Sequence, residues 1–274
     1  MGGLILAVDI IIVSYNTRRY LKACLHSIRR HTQGSYRVWV VDNGSTDGTQ
    51  RLAPAFPWVR WILNRTNRGY GQACNQGAAA GTGDHIVFLN SDTEVTPNWL
   101  PPLVERAESD ERIAIVGPKL LSPQGLVVGA GVIGTNAKPV IRGWMARDDP
   151  VRFGYPLDCL SLCGACLLLK RRHIPVLGLF DPAFFHYFEE TDLCYRARAK
   201  GFRVVYEPAS QIIHHISASC RDNNRLRQLY AKGQQIFTEK WREFLGDEQV
   251  YGEKPGDGFA CVEHNAPANY EQKR

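Results

Sequence analysis

The sequence predicts an α/β fold with a mostly parallel central sheet and flanking helices, and two patterns carry this prediction. In the first ninety residues, short runs of β-branched residues alternate with stretches of helical spacing, as in strand–helix–strand units. Each short run is apolar almost throughout, which is typical of strands that are covered on both faces. Strands joined by helices at this spacing are parallel, with right-handed crossovers.

The composition agrees with a folded chain of one or two domains. The 274 residues are 44% hydrophobic and 22% charged, which is typical of globular proteins and excludes a wholly disordered chain. The net charge of +6 is too small for a nucleic-acid-binding protein, and we expect no nucleic-acid partner. Residues 247–274 carry a net charge of −3, so the excess of +9 on the remaining residues favours anionic ligands.

Neither a membrane span nor a signal peptide is predicted. Asp9 interrupts the opening apolar run after eight residues, short of the ~18 residues that a span needs, and no basic segment precedes the run. We therefore expect a cytoplasmic protein. The eight cysteines lie partly in apolar runs and are predicted to be reduced.

Four buried strands are predicted in the first ninety residues, at 9–13, 38–41, 59–63 and 86–89. Thr17 is predicted to cap a first helix that has Leu21 and Leu25 on its apolar side, and small residues predict another helix over 72–80. Each strand ends in a polar turn, with the sequences SYNT, DNGSTDGT, NRTNRGYG and NSDT. Ligands of a parallel sheet bind at the carboxyl ends of its strands, so we expect a binding site where these turns meet.

The second half of the chain is predicted to mix helices, strands and loops. Residues 122–157 are rich in Gly and Pro, which favours hairpins and loops over strand–helix units. Gly201 is expected to end a helix that begins near residue 189. The other predicted elements are helices over 99–109 and 223–244 and strands at 113–116, 160–169, 204–206 and 212–215. Residues 247–274 lack periodicity and are predicted to be disordered.

Two carboxylates follow strands at the expected binding edge. Asp42 could accept a hydrogen bond from a nucleobase or ribose, or it could begin a turn in which Asp47 caps the next helix, and both interpretations stay open. Asn90, Asp92 and Glu94 alternate along an extended segment, so two of them could reach one hard cation, or they could cap the helix that follows. Neither a P-loop nor a G-x-G-x-x-G motif occurs, which argues against the usual ATP and dinucleotide sites.

A second group of candidate residues lies later in the chain. Glu189 and Glu190 follow an aromatic run and begin a helix, so they are either a helix-stabilising pair or a general base with a raised pKa in an apolar pocket. Asp192 falls further round this helix and could orient a loop or the acceptor. His214 and His215 end a strand, and because strand side chains alternate, only one of them can face the active edge and complete a cation site.

Three cysteines have a spacing that needs a separate interpretation. Cys159, Cys163 and Cys166 form C-x₃-C-x₂-C, the spacing of the iron–sulfur cluster in radical enzymes that use S-adenosylmethionine. Here the motif lies in a predicted mid-chain strand rather than in an early cluster-binding loop. Apolar strand cysteines are mostly small core residues, and we expect that role here.

Taken in order, these segments resemble family 2 glycosyltransferases, which are inverting enzymes with the GT-A fold, and especially their rhamnosyltransferase-like bacterial branch. The resemblance covers about residues 8–244. Its segments follow one another in the family's order and spacing: IIIVSYNTRRYLKACLHSI, VVDNGSTDGT, NRGYGQACNQG, VFLNSDTEV, LCGACLLLKRR, FDPAFFHYFEETDLCYRARAKGF and IIHHISAS. The resemblance implies a GT-A (Rossmann-like), mostly parallel sheet with flanking helices and a C-terminal helix.

The resemblance also implies a role for each matching residue. The nucleotide-sugar donor would contact residues in and around the four turns: Ser14, Tyr15, Asn16, Asp42, Asn67, Arg68, Gly69, Asn75, Asn90 and Ser91. Mg²⁺ or Mn²⁺ would bind Asp92, the last aspartate of the family's D-x-D element, with His214 rather than His215 as a second ligand. Asn90 stands where that element has its first aspartate. Glu190 would be the catalytic base, with Glu189 and Asp192 in the same catalytic group.

The activity implied by the resemblance is transfer of a sugar, with rhamnose among the candidates, from a nucleoside-diphosphate donor to a hydroxyl of a glycan, lipid-linked or small-molecule acceptor. The alternatives are a sugar-1-phosphate nucleotidyltransferase and a non-catalytic sugar-nucleotide-binding module. The basic residues of the last helix form either a solvated face or a peripheral contact with the inner face of a membrane. The implied domain covers 1–246, with a donor half over 1–95, an acceptor and catalytic half over 96–217 and the last helix over 218–246.

Overall fold

The computed structural model describes residues 6–216, 223–246 and 251. Within these residues the strands are β1 Val8–Ser14, β2 Tyr36–Asp42, β3 Val59–Leu63, β4 His85–Asn90, β5 Thr93–Val95, β6 Ile113–Leu121, β7 Leu126–Gly129, β8 Val132–Thr135, β9 Lys138–Ile141, β10 Ala146–Arg147, β11 Leu157–Asp158, β12 Cys166–Lys170 and β13 Arg203–His214. The helices are α1 Arg18–His31, α2 Tyr70–Ala80, α3 Leu100–Glu108, α4 Pro150–Phe153, α5 Ile174–Leu177, α6 Glu189–Ala199 and α7 Asn223–Lys240. Short 3₁₀ segments cover Thr49–Ala55, Arg171–His173 and Phe244–Gly246.

One mixed sheet forms the centre of the fold. Strands β3, β2, β1 and β4 lie side by side and run parallel, as the alternation of strands and helices predicts. β12 lies antiparallel between β4 and β6, and β7 and β10 extend the sheet beyond β6. β13 pairs parallel with β6 and antiparallel with β5 and β11, while β8 and β9 form a separate hairpin. The predicted α/β class is confirmed.

The first strand shows why an apolar run becomes a central strand. All seven residues of β1 are buried, because helices cover both faces of the sheet. Ile10 packs with Leu25 of α1 in the core cluster on one face, and Ile11 packs with Ala73 of α2 in the cluster on the other. The polar end of β1 therefore lies at the edge of the sheet, beside the ends of β2 and β4.

The strands of the second half of the chain agree only in part with the predicted ones. The predicted strand 160–169 begins only at Cys166, because Ser161 pairs with Val132 and the chain changes partners before it joins β4. A continuous apolar run cannot reveal such a change of partner. The two predicted strands 204–206 and 212–215 form the single strand β13, which has an irregularity between Glu207 and Gln211.

Helix ends partly agree with the sequence-based predictions. The Thr17 hydroxyl does not cap α1, because it bonds to the hydroxyls of Ser14 and Ser91, and Asp47 instead accepts the hydrogen bond of the Arg18 amide at 2.8 Å. Gly201, with φ of 79°, ends α6 as predicted. α7 ends at Lys240 and is followed by a 3₁₀ turn.

The predicted disordered tail, 247–274, lies outside the described residues except for Tyr251. This tyrosine exchanges two backbone hydrogen bonds with Gly134 of β8. None of the helices in the described ranges combines the length and apolar character that a membrane span requires.

Candidate active site

A cleft of about 610 Å³ opens at the carboxyl ends of β1, β2 and β4. Its polar residues come from the turns that follow these strands and β3, so the turns meet as the parallel topology predicts. We call five of these residues the polar wall: Asn16, Asn43, Asn67, Asn90 and Asp92. The opposite side of the cleft is formed by the turn before α6, the loop after β9 and the start of α7.

Hydrogen bonds between the turns hold the polar wall in shape. The Asn16 side-chain oxygen accepts from the Thr46 amide at 2.8 Å, which ties the turn after β1 to the turn after β2. Asn43 donates to the side-chain oxygen of Asn67 at 2.9 Å and to the carbonyl of Gly69 at 3.1 Å. Asn43 was not among the predicted site residues, although it directly follows Asp42 in the turn.

The structure separates the predicted donor-binding residues into two groups. Those that line the cleft are Tyr15, Asn16, Asn67, Gly69, Asn90 and Ser91. Ser14, Asp42, Arg68 and Asn75 do not line it. The Ser14 hydroxyl is buried and bonds to Thr17, and Asn75 exchanges hydrogen bonds with the backbone of Phe180, which pins the loop after α5.

Asp42 is a buried carboxylate with an unusual environment. Within the described residues, neither of its oxygens has a well-formed hydrogen bond, and Ser45 and Gln50 lie nearby as donors. Burial raises the pKa of Asp42, although the hydroxyl and amide of Ser45 oppose this shift. A buried acceptor in this state favours a ligand that donates a hydrogen bond.

Asp92 and His214 stand side by side at the base of the cleft. Their nearest side-chain atoms, Oδ1 and Nε2, are 3.4 Å apart, and both residues line the cleft. His215 faces away and contacts Glu94 at 2.7 Å, so the alternation of strand side chains brings only His214 to the site. No group of three or more His, Cys, Asp or Glu that could hold a metal ion occurs in the part of the chain that the structure describes.

Carboxylate and imidazole nevertheless suit Mg²⁺ or Mn²⁺ when a ligand completes the coordination. Such cations in phosphate-binding sites are held by one or two protein side chains together with phosphate oxygens and waters. The residues present therefore fit a divalent cation that arrives with a diphosphate.

The three cysteines of the C-x₃-C-x₂-C motif do not share one environment. Cys159 and Cys166 lie in separate core clusters, and Cys163 lines the cleft.

Glu189 and Glu190 begin α6 and both line the cleft. The two residues before them, Tyr187 and Phe188, have left-handed backbone angles, with φ of 71° and 70°. Gly164 lies against the second glutamate, since a methyl group at this glycine would stand 3.2 Å from Cγ of Glu190. The turn and the glycine together present both carboxylates to the cleft.

Glu189 and Glu190 differ in the groups that shift their pKa values. Burial, together with the charge of Glu190, raises the pKa of Glu189 well above its usual range, and its buried Oε2 has no hydrogen-bond partner within the described residues. Burial also raises the pKa of Glu190, but the amides of Glu190, Thr191 and Gly164 favour its ionised form. Burial lowers the pKa of nearby His186 to about 4, so this imidazole is neutral beside the pair. Glu190 is therefore the carboxylate that ionises first.

Asp192 lies outside the cleft and holds α7 against α6. It is fully buried and accepts hydrogen bonds from Nε1 of Trp241 at 2.9 Å and from Nε of Arg196 at 2.8 Å. Lys240 lies 2.8 Å from the same carboxylate. These contacts use both oxygens of Asp192 for packing of the C-terminal helix.

The other side of the cleft is apolar. We call it the apolar wall, formed by Val128, Trp144, Ile216, Leu226 and Leu229. Trp144 is 38% exposed, and Arg225 of α7 is the cation among the residues that line this side. None of these residues was named as a site residue from the sequence, although residues 122–157 and the last helix, from which most of them come, were expected to shape the acceptor site.

Two family models match this chain. The model described as glycosyl transferase family 2 matches residues 9–142, and the model described as glycosyl transferase family group 2 matches residues 85–252. The two matches together cover the four polar turns, the glutamate pair and His214.

Curated relatives agree with these families. The chain is 29% identical over 233 residues to the N-acetylglucosaminyl-diphospho-decaprenol L-rhamnosyltransferase of Mycobacterium tuberculosis, covering 75% of each chain. It is 37% identical over 200 residues to the O-antigen biosynthesis protein RfbC of Myxococcus xanthus, covering 68% of this chain and 15% of that protein.

Solved structures share the fold. A crystal structure of GalNAc-T7 with UDP, GalNAc and Mn²⁺ has a TM-score of 0.65 at 18% identity, over 89% of this chain and 50% of that one. The mannosyltransferase PcManGT from Pyrobaculum calidifontis, in complex with GDP-Man and Mn²⁺, has a TM-score of 0.61 at 17% identity, over 89% of this chain and 65% of that one. This chain thus spans about half the length of the first structure. Both have the GT-A fold, and the chain itself belongs to family 2 of the glycosyltransferases.

Proposed function

We propose that this chain transfers a sugar, with inversion, from a nucleoside-diphosphate donor to a hydroxyl of a glycan, lipid-linked or small-molecule acceptor. The observation that carries the proposal is one cleft lined by both the Asp92–His214 pair and the Glu189–Glu190 pair. The first pair suits a diphosphate with its cation, and the second supplies a base. A non-catalytic binding module would need the first pair alone.

The donor binds along the polar wall. Asn16 and Asn67 present amide groups to the cleft, and such groups recognise ribose and nucleobase edges. Asn43 holds Asn67 and Gly69 in place through its own amide. Asp42 is buried beside this wall and does not line the cleft, so its proposed contact with a nucleobase N–H or a ribose hydroxyl is supported by the resemblance to the family rather than by its exposure. Arg68, which is exposed beside this wall, is proposed to contact the diphosphate.

Asp92 and His214 are proposed to hold Mg²⁺ or Mn²⁺ together with the donor diphosphate. When bound, such a cation offsets the negative charge that develops on the departing nucleoside diphosphate. Asn90, which replaces the first aspartate of the family's D-x-D element, lines the same part of the cleft. Its amide is proposed to contact the donor sugar or a water.

Glu190 is the proposed catalytic base. Its carboxylate takes the proton of the acceptor hydroxyl while that oxygen bonds to the anomeric carbon of the donor. The bond from this carbon to the phosphate oxygen breaks at the same time, and the electron pair leaves with the nucleoside diphosphate. Burial and the neighbouring charge raise the pKa of Glu189, which favours its protonated form beside Glu190.

The acceptor is proposed to lie against the apolar wall. The exposed indole of Trp144 offers a flat surface to a sugar ring, and Leu226 and Leu229 suit an apolar group attached to that sugar. The similarity to an enzyme named for a decaprenol-linked acceptor supports a lipid-linked acceptor and rhamnose as the sugar. Such an acceptor would bring the chain to a membrane surface from the cytoplasmic side.

A ligand panel tests the proposal. The purified chain is mixed with UDP-, GDP- and dTDP-sugars, with and without Mn²⁺, while the thermal midpoint and the release of nucleoside diphosphate are followed. We expect one donor to raise the thermal midpoint in the presence of Mn²⁺. Nucleoside diphosphate should be released only as the sugar of this donor is transferred to the acceptor or to water. Release of pyrophosphate from a nucleoside triphosphate and a sugar phosphate would instead identify a nucleotidyltransferase.

A further inference from the structure

The turn that precedes the glutamate pair has an unfavourable backbone conformation. Tyr187 and Phe188 both have left-handed angles, with φ of 71° and 70°. Glycine and asparagine tolerate these angles, whereas bulky side chains rarely adopt them. Two such residues in succession need support from surrounding packing, and they stand directly before Glu189.

Helix α7 supplies that packing through aromatic rings. The ring of Tyr230 lies 5.6 Å from the ring of Tyr187 and 5.1 Å from the ring of Phe188, measured between centroids. Phe237, two turns further along α7, lies 5.4 Å from the Phe188 ring. The helix therefore covers both residues of the strained turn.

A glycine allows α7 to come this close. A methyl group at Gly233 would stand 3.0 Å from Cδ2 of Phe188 and 3.0 Å from the carbonyl oxygen of Tyr187. The helix interior otherwise favours alanine over glycine, so helix propensity does not explain a glycine at this position. The close approach of α7 to the turn explains the glycine.

Both partners of this contact are fixed to α6. The amide of Asp192 donates to the carbonyl of Phe188 at 2.8 Å, and the carboxylate of the same residue accepts from Trp241 beyond the end of α7. The turn, α6 and α7 thus form one packed unit. A shift of α7 at Gly233 would therefore displace the first residues of α6, which are the two glutamates.

We propose that Gly233 is a positioning residue for sugar transfer. By admitting α7 against Tyr187 and Phe188, it holds the turn in its left-handed conformation and fixes Glu190 at the point where it meets the acceptor hydroxyl. The inference rests on the proposed role of Glu190 as the base. It gives α7 a function in catalysis beyond its contribution to the apolar wall.

The first test is the Gly233→Ala variant in transfer kinetics. Helix propensity alone predicts a more stable and fully active protein, whereas the added methyl group is expected to displace the turn. We expect kcat to fall by about tenfold to a hundredfold, with the KM for the donor and the affinity for the nucleoside diphosphate unchanged within about twofold. The control is Gly246→Ala, since a methyl group there meets no atom within 4 Å, and it should keep the wild-type kcat.

A second readout does not depend on activity. Hydrogen exchange of the amides from 187 to 192 should accelerate in Gly233→Ala and stay unchanged in Gly246→Ala. Should Gly233→Ala fail to fold, Tyr230→Leu removes the ring contacts without adding a clash and should lower kcat at constant donor KM. Wild-type kcat and wild-type exchange in either variant would overturn the inference. Absence of turnover by the wild-type chain would refute the proposed function instead, while the exchange data would still test the contact.

Discussion

The two walls of the cleft are built in different ways. The polar wall consists of short turns after parallel strands, and side-chain amides in it bond to one another, as Asn43 does with Asn67. The apolar wall and the turn before α6 depend on ring packing, on a strained backbone at Tyr187 and Phe188, and on a helix pressed against it. The first arrangement is local and the second depends on the tertiary fold.

This difference matches the two tasks that the cleft performs in the proposed reaction. A nucleotide and diphosphate carry fixed polar groups, which hydrogen-bonded turns can match. An acceptor needs a surface for its ring and apolar part, together with a base whose position is fixed. The walls are therefore expected to respond differently to substitution, in the order of the effects below.

The largest effect is expected at Glu190, where the walls meet. Glu190→Gln keeps the size of the side chain but removes the base, so kcat for transfer should fall by about a thousandfold while donor binding is retained. Glu189→Gln is the matched control, and because the raised pKa of Glu189 favours its neutral form, this variant should keep at least about a tenth of the wild-type rate. Equal losses in the two variants would refute the assignment of the base.

The polar wall should control the response to Mn²⁺. Asp92→Ala is expected to abolish the rise in thermal midpoint that Mn²⁺ and nucleoside diphosphate produce together, and to lower kcat/KM by roughly a hundredfold. His214→Ala should raise the Mn²⁺ concentration that is needed for this rise in thermal midpoint. His215→Ala, in which the lost side chain contacts Glu94 outside the cleft, should behave as the wild type. A loss of Mn²⁺ response in His215→Ala as large as in His214→Ala would contradict the site.

The apolar wall should control the acceptor alone. Trp144→Ala is expected to raise the acceptor KM by roughly tenfold, because the exposed ring no longer covers the sugar, while donor hydrolysis in water stays unchanged. Met145→Ala, at the exposed neighbouring residue outside the cleft, is the control. An increase in donor KM in Trp144→Ala would show that the walls do not divide the substrates.

The smallest expected effect is that of Glu189→Gln on the thermal stability of the protein. Because its pKa is raised in the folded state, the native protein binds this proton more tightly than the unfolded chain, and stability is lost as pH rises from the ordinary glutamate value. Glu189→Gln removes that loss and should raise Tm at pH 8 by roughly 2–4 °C, with a smaller gain at pH 5. Melting curves across this pH range provide the measurement. A gain that grows toward low pH would contradict the raised pKa.

The sequence predicts the polar wall far better than the apolar wall. The turns after β1, β2, β3 and β4 are contiguous segments, and a parallel sheet brings their ends together. The alternation of strand side chains predicts that only one of His214 and His215 faces the cleft, and the resemblance to the family selects His214. Trp144 and Leu229 instead reach the cleft through long-range packing, which leaves no local pattern in the sequence.

Two elements show the physical limit of such prediction. The run 160–169 is largely apolar, but Ser161 pairs with Val132 and the chain joins β4 only from Cys166, a change of partner that hydrophobicity does not report. Asp192 stands beside the glutamate pair in the sequence, but its carboxylate is used by Trp241, Arg196 and Lys240. Its packing role depends on Lys240 and Trp241, which lie 48 and 49 residues further along the chain, at and just beyond the end of α7.

The anomeric configuration of the product tests the central claim most directly. The purified chain is given the nucleotide-sugar that stabilises it, Mn²⁺ and an acceptor, and the new linkage is examined by proton NMR. We expect a product with the anomeric configuration opposite to that of the donor, and no product above background from Glu190→Gln. Retention of the donor configuration, or undiminished transfer by Glu190→Gln, would contradict a single displacement with Glu190 as the base.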